Sequence, residues 1–306
     1  MSLRLRPYSH PRDYGRVLEF LRSLVVAHGV TAGWLPARWE YMHHHPLIDE
    51  VDLSTFGVAE DGGEVVGITH LEHHPAYVHV QSDPRRPDVV EPLVGWIEHR
   101  FGGESKSFGG RVIGVYVGPT SDRLAGALGS RGFEPAGGFE ERHTVLPAAV
   151  EPNRREAPPG YRVQSLRVEN DLTRINEVLW KGFGHAGPAP CEEIPGRARV
   201  QSAPGFRQDL TFVAVAIDDS YASYAGIWLD EATGLGYVEP VATDPKHRRR
   251  GLAGAVLSTA IDRARAAGAG DVWVGADLPV YRSLGFRPGF VVPLWVRRLP
   301  SPRPES

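Results

Sequence analysis

The stretch VATDPKHRRRGLAGAVL, residues 241–257, connects an apolar run to a striped helix through three arginines and a small-residue turn. Tyr237–Thr243 is typical of a strand, and Asp244-Pro245 predicts a turn. Apolar side chains then recur at steps of three and four, at positions 252, 256, 257, 260, 261 and 264. This spacing predicts an amphipathic helix that ends at Gly268.

The start of this helix is suited to an anion. Backbone N–H groups at a helix start lack partners, and the helix dipole is positive there. Small side chains allow a ligand to approach the backbone, and arginines add donors; these residues are Arg248, Arg249, Arg250, Gly251, Ala253 and Gly254. The stretch therefore predicts a site for a nucleotide-like diphosphate, without a Walker loop or a GxGxxG turn. The alternative is a basic helix start that simply faces solvent.

The strand before the turn contains Pro240, which cannot donate a ladder hydrogen bond. A central strand accepts proline only where its pairing is already interrupted. The sequence therefore predicts a bulge or a splayed pair of strands at this position.

The chain contains a repeated pattern. Residues 3–21 resemble 161–179, residues 56–72 resemble 212–230, and residues 128–139 resemble 281–290, in one order and at similar spacing. The segment between the copies is rich in proline and charge. This predicts two tandem α/β domains at 1–146 and 161–299, a linker at 147–160 and a disordered tail at 300–306.

The second copy resembles a known family. Arg248–Ala253 matches the (Gln/Arg)-x-x-Gly-x-(Gly/Ala) signature of the GCN5-related N-acetyltransferases (GNAT), and Tyr281–Phe286 matches their later Tyr-x-x-x-Gly-Phe. The chain thus resembles a tandem member with a degenerate first copy. The resemblance implies that each domain is a mixed, mostly antiparallel sheet flanked by helices, with one splayed strand pair.

The resemblance also implies a function: an N-acyltransferase that moves an acetyl group from acetyl-CoA to a small-molecule or peptide amine, in the second domain. The diphosphate of the cofactor would bind the backbone of residues 249–254, and its pantetheine arm would follow the strand. The implied cofactor-binding residues are Val241, Ala242, Thr243, Arg248, Arg249, Arg250, Gly251, Leu252, Ala253 and Gly254.

Two residues are candidates for the chemistry. Glu239 lies two residues before Val241, on the same side of an alternating strand, and is the candidate base for the amine. The tyrosine of the family motif, Tyr281, would act as general acid for the thiolate. An asparagine that often precedes this tyrosine in relatives is replaced by Val274. A strand N–H near Val241 would polarise the thioester carbonyl.

The first copy lacks the features needed for catalysis. Its counterpart of the basic turn is shorter and contains Pro87 and Asp88 but no glycine, and Leu128 replaces the tyrosine. We expect this domain to be a scaffold and one wall of the acceptor pocket. Trp34, Trp39 and Tyr41 are core aromatics or acceptor contacts.

Composition argues against several other classes. The net charge of −3 disfavours a general nucleic-acid binder. No apolar run reaches the roughly 20 residues of a membrane span, and we expect a cytoplasmic protein, monomeric or homodimeric. The histidines of the first half lack zinc-type spacing, so we expect no metal, and the single cysteine, Cys191, is expected to be inert.

Two alternatives to this function stay open. One is an acetyltransferase similar to mycothiol synthase, which is also a tandem of this fold. The other is a sensor that binds acyl-CoA without turnover.

Overall fold

The computed structural model describes residues 3–72 and 74–300, so the predicted disordered tail lies outside them except for residue 300. These residues form two compact units. The first consists of the described residues up to 36, of 47–141 and of those from 290 onward, and the second consists of 37–46 and 142–289.

The elements of the first unit are six complete strands and three α-helices. The strands are β1 Arg4–Pro7, β2 Gly57–Asp61, β3 Glu64–Leu71, β4 Tyr77–Ser82, β5 Gly103–Ser105 and β6 Gly110–Tyr116. The helices are α1 Tyr14–His28, α3 Val90–Arg100 and α4 Asp122–Gly129, and α2 Pro36–His44 falls in the second unit from residue 37.

The second unit has five complete strands and four further α-helices. The strands are β8 Tyr161–Ser165, β9 Thr211–Ala216, β10 Tyr221–Asp230, β11 Leu235–Thr243 and β12 Val272–Val274. The helices are α5 Leu172–Gly182, α6 Ile194–Gln201, α7 Leu252–Ala266 and α8 Pro279–Ser283. Short 3-10 helices cover Val30–Ala32, Pro46–Glu50, Leu53–Thr55, Pro87–Val89, Cys191–Glu193, Gln208–Leu210 and Pro245–His247.

Two long strands are divided between the units: β7 Glu134–Leu146 and β13 Arg287–Arg298. Residues 294–298 of β13 pair with β6 in the first unit. Residues 144–146 at the end of β7 pair with β12 in the second unit. Each half of the chain therefore completes the sheet of the other, whereas the sequence predicts β7 in the first domain alone and β13 in the second alone.

The two sheets follow the same plan. In the first unit the strand order is β1-β2-β3-β4-β6-β13, with β5 beside β6; in the second it is β8-β9-β10-β11-β12-β7. All the pairs in them are antiparallel except β4 with β6 and β11 with β12. The predicted fold class, two tandem domains with a mixed and mostly antiparallel sheet, is confirmed.

Helices cover both faces of the second sheet. Along β9, Phe212 and Ala214 pack in the cluster that contains α7, whereas Val213 and Val215 pack in the cluster with α5. This is the two-residue alternation of a strand buried on both faces. The six apolar positions predicted for one side of α7 all lie in its cluster, and Gly268 follows the helix with φ +100°. No helix within the described ranges has the length and apolar character needed to cross a membrane.

Candidate functional site

The pairing of β11 is interrupted at Pro240. The register between β10 and β11 moves from Ala225 opposite Val241 to Ile227 opposite Val238, so residues 239 and 240 both face Gly226. A Cβ at Gly226 would lie 2.9 Å from the carbonyl oxygen of Glu239, so only glycine fits there. The predicted bulge at the proline is confirmed.

The other edge of β11 is open over its second half. β12 pairs with β11 only at Gly236 and Tyr237. The Asp244 N–H donates to the carbonyl oxygen of Ala222 at 3.0 Å, so the N–H of residue 244 points towards β10. Because main-chain groups alternate along a strand, the N–H groups of Val241 and Thr243 point towards the side that β12 leaves open. The predicted splayed strand pair is confirmed.

The turn between β11 and α7 has two residues in the left-handed region. Arg249 has φ +60° and Gly251, the N-cap of α7, has φ +83°. Left-handed residues in a turn direct successive N–H groups to one concave side, where an anion can bind. A Cβ at Gly251 would meet nothing within 4 Å, so glycine is favoured there by its backbone conformation rather than by crowding.

The backbone donors of this turn are available. The first hydrogen bond of α7 runs from the Ala255 N–H to the Gly251 carbonyl oxygen at 3.0 Å. None of the N–H groups from Arg249 to Gly254 has an acceptor within the part of the chain that the structure describes. Six successive donors without an acceptor therefore lie at the positive end of a 15-residue helix.

Five of these six residues line a cavity of about 610 Å³. Nine of the ten residues predicted to bind the cofactor line it, and Arg250 is the exception. The cavity also has lining residues that the sequence analysis missed: Arg155, Gly182, His247, Pro279, Val280 and Ser283. They lie in the predicted linker, at the end of α5, in the turn and in α8; His247 falls inside the stretch 241–257 and Ser283 inside the tyrosine motif, but neither was predicted to bind the cofactor.

Arg248 is held by the protein itself. Its Nε donates to the Thr243 carbonyl oxygen at 3.1 Å, and its Nη2 donates to the Gly182 carbonyl oxygen at 2.7 Å. A Cβ at Gly182 would lie 2.6 Å from the Cβ of Ala242, so this glycine lets the end of α5 touch β11. Arg248 therefore joins the turn to α5 although, like Arg249 and Arg250, it is exposed.

Tyr281 and Glu239 lie close enough to interact electrostatically. Tyr281 is only 5% exposed and its ring packs 5.7 Å from that of Phe286. Burial raises the pKa of Tyr281, and the charge of Glu239 raises it further. Neither residue is among those that line the cavity. The expectation that Glu239 and Val241 share a face assumed regular alternation, and the bulge interrupts that alternation between them.

An aromatic group lies beside the main chain of Glu239. The indole Nε1 of Trp228 donates to the Glu239 carbonyl oxygen at 2.9 Å. The rings of Tyr41 and Phe206 contact Trp228 at centroid distances of 5.6 and 5.8 Å. Of the three aromatics singled out in the sequence, Tyr41 thus belongs to this site, and Trp39 is completely buried. Trp34 packs in the first unit, where its ring centroid lies 4.4 Å from that of His70.

In the first unit, the arginines of the equivalent turn form ion pairs with neighbouring carboxylates. Arg85 binds Asp83 at 2.6 Å, and Arg86 binds Asp88 at 2.8 Å and Asp61 at 3.0 Å. The basic side chains that precede α3 are therefore already paired with acidic ones.

One group of possible metal ligands occurs among the described residues. Glu72, His79 and Glu141, in the first unit, have ligand atoms within 4.8 Å of one another. Ligands of a tetrahedral zinc ion lie roughly 3.3 Å apart, given metal–ligand distances of about 2.0–2.1 Å. His79 Nε2 and Glu141 Oε1 lie 3.9 Å apart, which is longer than this spacing. His70 and His74 are not part of the group.

The sequence of the second unit matches a family model. Residues 172–286 match the Acetyltransferase (GNAT) family. No curated protein matches the chain.

Solved structures resemble the chain over almost its whole length. The GCN5-related N-acetyltransferase from Sphaerobacter thermophilus has a TM-score of 0.61 at 16% identity, covering 96% of this chain and 95% of the other. A tandem GNAT protein from the clavulanic acid biosynthesis pathway has a TM-score of 0.63 at 14% identity, covering 98% and 100%. A GNAT acetyltransferase from Colwellia psychrerythraea has a TM-score of 0.55 at 10% identity, covering 96% and 98%. These similarities show a tandem GNAT fold.

Proposed function

From the premise that residues 172–286 form a GNAT domain, we propose that the second unit is an acyl-CoA-dependent N-acyltransferase that transfers acetyl groups to amines. One observation carries the proposal. Six successive backbone N–H groups, from Arg249 to Gly254, have no acceptor among the described residues, and five of these six residues line a cavity beside an open strand edge.

The cofactor would bind both features that border this cavity, the turn before α7 and the open edge of β11. Its diphosphate accepts hydrogen bonds from the turn, where the helix dipole and the guanidinium of Arg249 favour negative charge. Its pantetheine arm extends along β11 and replaces the missing strand by binding the main chain of Val241 and Thr243. The half-buried side chains at 241 and 243 leave room for this arm.

Transfer begins when a neutral amine attacks the thioester carbon. The new C–N bond forms as the C–S bond breaks, and the proton leaves the nitrogen for Glu239, directly or through water. The N–H of Val241 points to the open edge and stabilises the negative charge on the carbonyl oxygen. An alkylamine has a pKa of about 10.4, so this proton transfer is needed at neutral pH.

Tyr281 assists the leaving sulfur. Burial, followed by the charge of Glu239, raises its pKa, so the phenol is protonated throughout the neutral range. A thiol has a pKa of about 8.5, below that of a phenol. Complete proton transfer from Tyr281 to the thiolate is therefore uphill, and its contribution is a hydrogen bond that stabilises the developing charge.

The acceptor lies on the side of Glu239. Tyr41, Phe206 and Trp228 form an aromatic wall next to its main chain. Tyr41 and Trp228 are buried and Phe206 is partly exposed, so the face of Phe206 is the one that can attract a protonated amine before it is deprotonated. The acceptor class is a small-molecule or peptide amine.

The first unit does not bind the cofactor in this proposal. Its turn contains Pro87, which lacks an N–H, and the charges of Arg85 and Arg86 are neutralised by neighbouring carboxylates. It is a scaffold for the tandem fold.

A screen of amines that measures thiol release from acetyl-CoA tests the function. With an active acceptor, Tyr281→Phe should lower kcat about 100-fold and leave acetyl-CoA affinity nearly unchanged. Tyr221→Phe is the matched control, because Tyr221 is buried on the α5 face of the same sheet. Acetyl-CoA binding with no thiol release for any amine would indicate a sensor. A fully active Tyr281→Phe would exclude the role of this tyrosine.

A further inference from the structure

The segment between β7 and β8 is bound along α7. The Arg155 N–H donates to the Ser258 hydroxyl oxygen at 3.2 Å, and that hydroxyl lies 3.4 Å from the Arg155 carbonyl oxygen. The Arg265 guanidinium donates to the Pro147 carbonyl oxygen at 2.7 Å. The Asn153 N–H donates to Leu284, next to the end of α8, at 3.0 Å. We call residues 147–160 the strap.

The strap directs one side chain into the cofactor cavity. Arg155 lines this cavity, and its Cγ lies 3.1 Å from where a Cβ at Gly254 would stand. Its guanidinium has no ion pair or hydrogen bond to any residue that the structure describes. The neighbouring Arg154 instead forms an ion pair with Asp262 at 3.0 Å.

The other basic residues that line the cavity either have hydrogen-bond partners in the protein or belong to the proposed diphosphate site. Arg248 is bound to two carbonyl oxygens, and His247 Nδ1 lies 2.8 Å from the Tyr161 hydroxyl. Arg249 belongs to the turn that would hold the diphosphate. Arg155 is therefore the cation of this lining that has neither a protein partner nor a role in the proposed diphosphate site.

We propose that Arg155 binds the 3′-phosphate of the acyl-CoA; this inference rests on the proposed function. The cofactor has two anionic groups, the diphosphate and the phosphomonoester on its ribose. The diphosphate takes the backbone donors of residues 249–254, and the acyl arm extends away along β11. The nucleotide end then faces the strap, where a planar guanidinium can form two charge-assisted hydrogen bonds to phosphate.

Binding of coenzyme A and of 3′-dephospho-coenzyme A to the full chain, measured by calorimetry, tests this. We expect the unsubstituted protein to bind coenzyme A about tenfold more tightly than the dephospho form. Arg155→Ala should reduce this ratio to near one by weakening coenzyme A binding alone. Folding should persist, because the hydrogen bonds of residue 155 with Ser258 use its main chain.

Arg154→Ala is the matched control, one residue away on the same strap, and should keep the tenfold ratio. If coenzyme A binds but Arg155→Ala keeps the ratio, or if the unsubstituted protein shows no preference, the role of Arg155 is excluded while the cofactor site stands. If coenzyme A does not bind at all, the proposed function falls and the inference with it.

Discussion

Replacing Ala253 by proline would remove one donor from the proposed phosphate site and leave the helix in place. Ala253 is the second residue of α7, and its N–H has no acceptor among the described residues. Proline is tolerated in a first turn because the lost N–H has no intrahelical partner. The chain already has this arrangement in α6, where Pro195 is the second residue. We expect the free energy of unfolding to fall by no more than about 1 kcal/mol.

Binding of acetyl-CoA should suffer much more. A hydrogen bond to a charged group contributes about 1.5–3 kcal/mol, and 1.4 kcal/mol corresponds to a factor of ten. The Kd for acetyl-CoA should therefore rise roughly 10- to 100-fold in Ala253→Pro, measured by titration calorimetry beside thermal unfolding. Ala253→Val is the matched control, because it adds similar bulk and keeps the N–H. If both variants bind acetyl-CoA equally well or equally poorly, the N–H of residue 253 does not hold the cofactor.

Two further predictions concern the first unit. Calorimetry of the whole chain should show one acetyl-CoA per chain, because carboxylates neutralise Arg85 and Arg86; a second site of similar affinity would contradict this. Burial raises the pKa of Asp13, but the hydrogen bond from Arg6 and further bonds outweigh burial and lower this pKa to about 2 from 3.8. Its stabilising contribution is therefore present above pH 3.8 and is lost as the pH falls towards 2. Asp13→Asn should cost about 2 kcal/mol at pH 7 and less at pH 3 by urea unfolding, and an equal loss at both pH values would exclude this linkage.

Several features of the site could be predicted from the sequence because they are properties of short segments. The spacing of apolar residues in α7, the glycine at its start and the proline in β11 each limit the backbone locally. Together they predicted a helix start with available donors next to an interrupted strand. The left-handed φ of Gly251 and the bulge opposite Gly226 agree with this.

Other features depend on residues that are far apart in the chain. The basic run predicts that Arg248 binds phosphate, but its guanidinium donates to the carbonyl oxygen of Gly182, which lies in α5. Tyr41 contacts Trp228 in the second unit although it precedes β2 in the chain. Arg155 lies in a segment that has the composition of a linker, and contacts with distant residues, among them its hydrogen bonds with Ser258, bring it to the cavity.

By itself the sequence determined the two repeats, the helix start and the family resemblance, because periodicity, turn residues and short motifs act over a few neighbouring positions. Only the tertiary structure decided which strands complete each sheet and which side chains surround the cavity. β7 and β13 both have strand-like sequences, and their pairing with β12 and β6 is set by hydrogen bonds between segments more than 100 residues apart. Such pairing depends on the packing of the whole chain, which no local pattern contains.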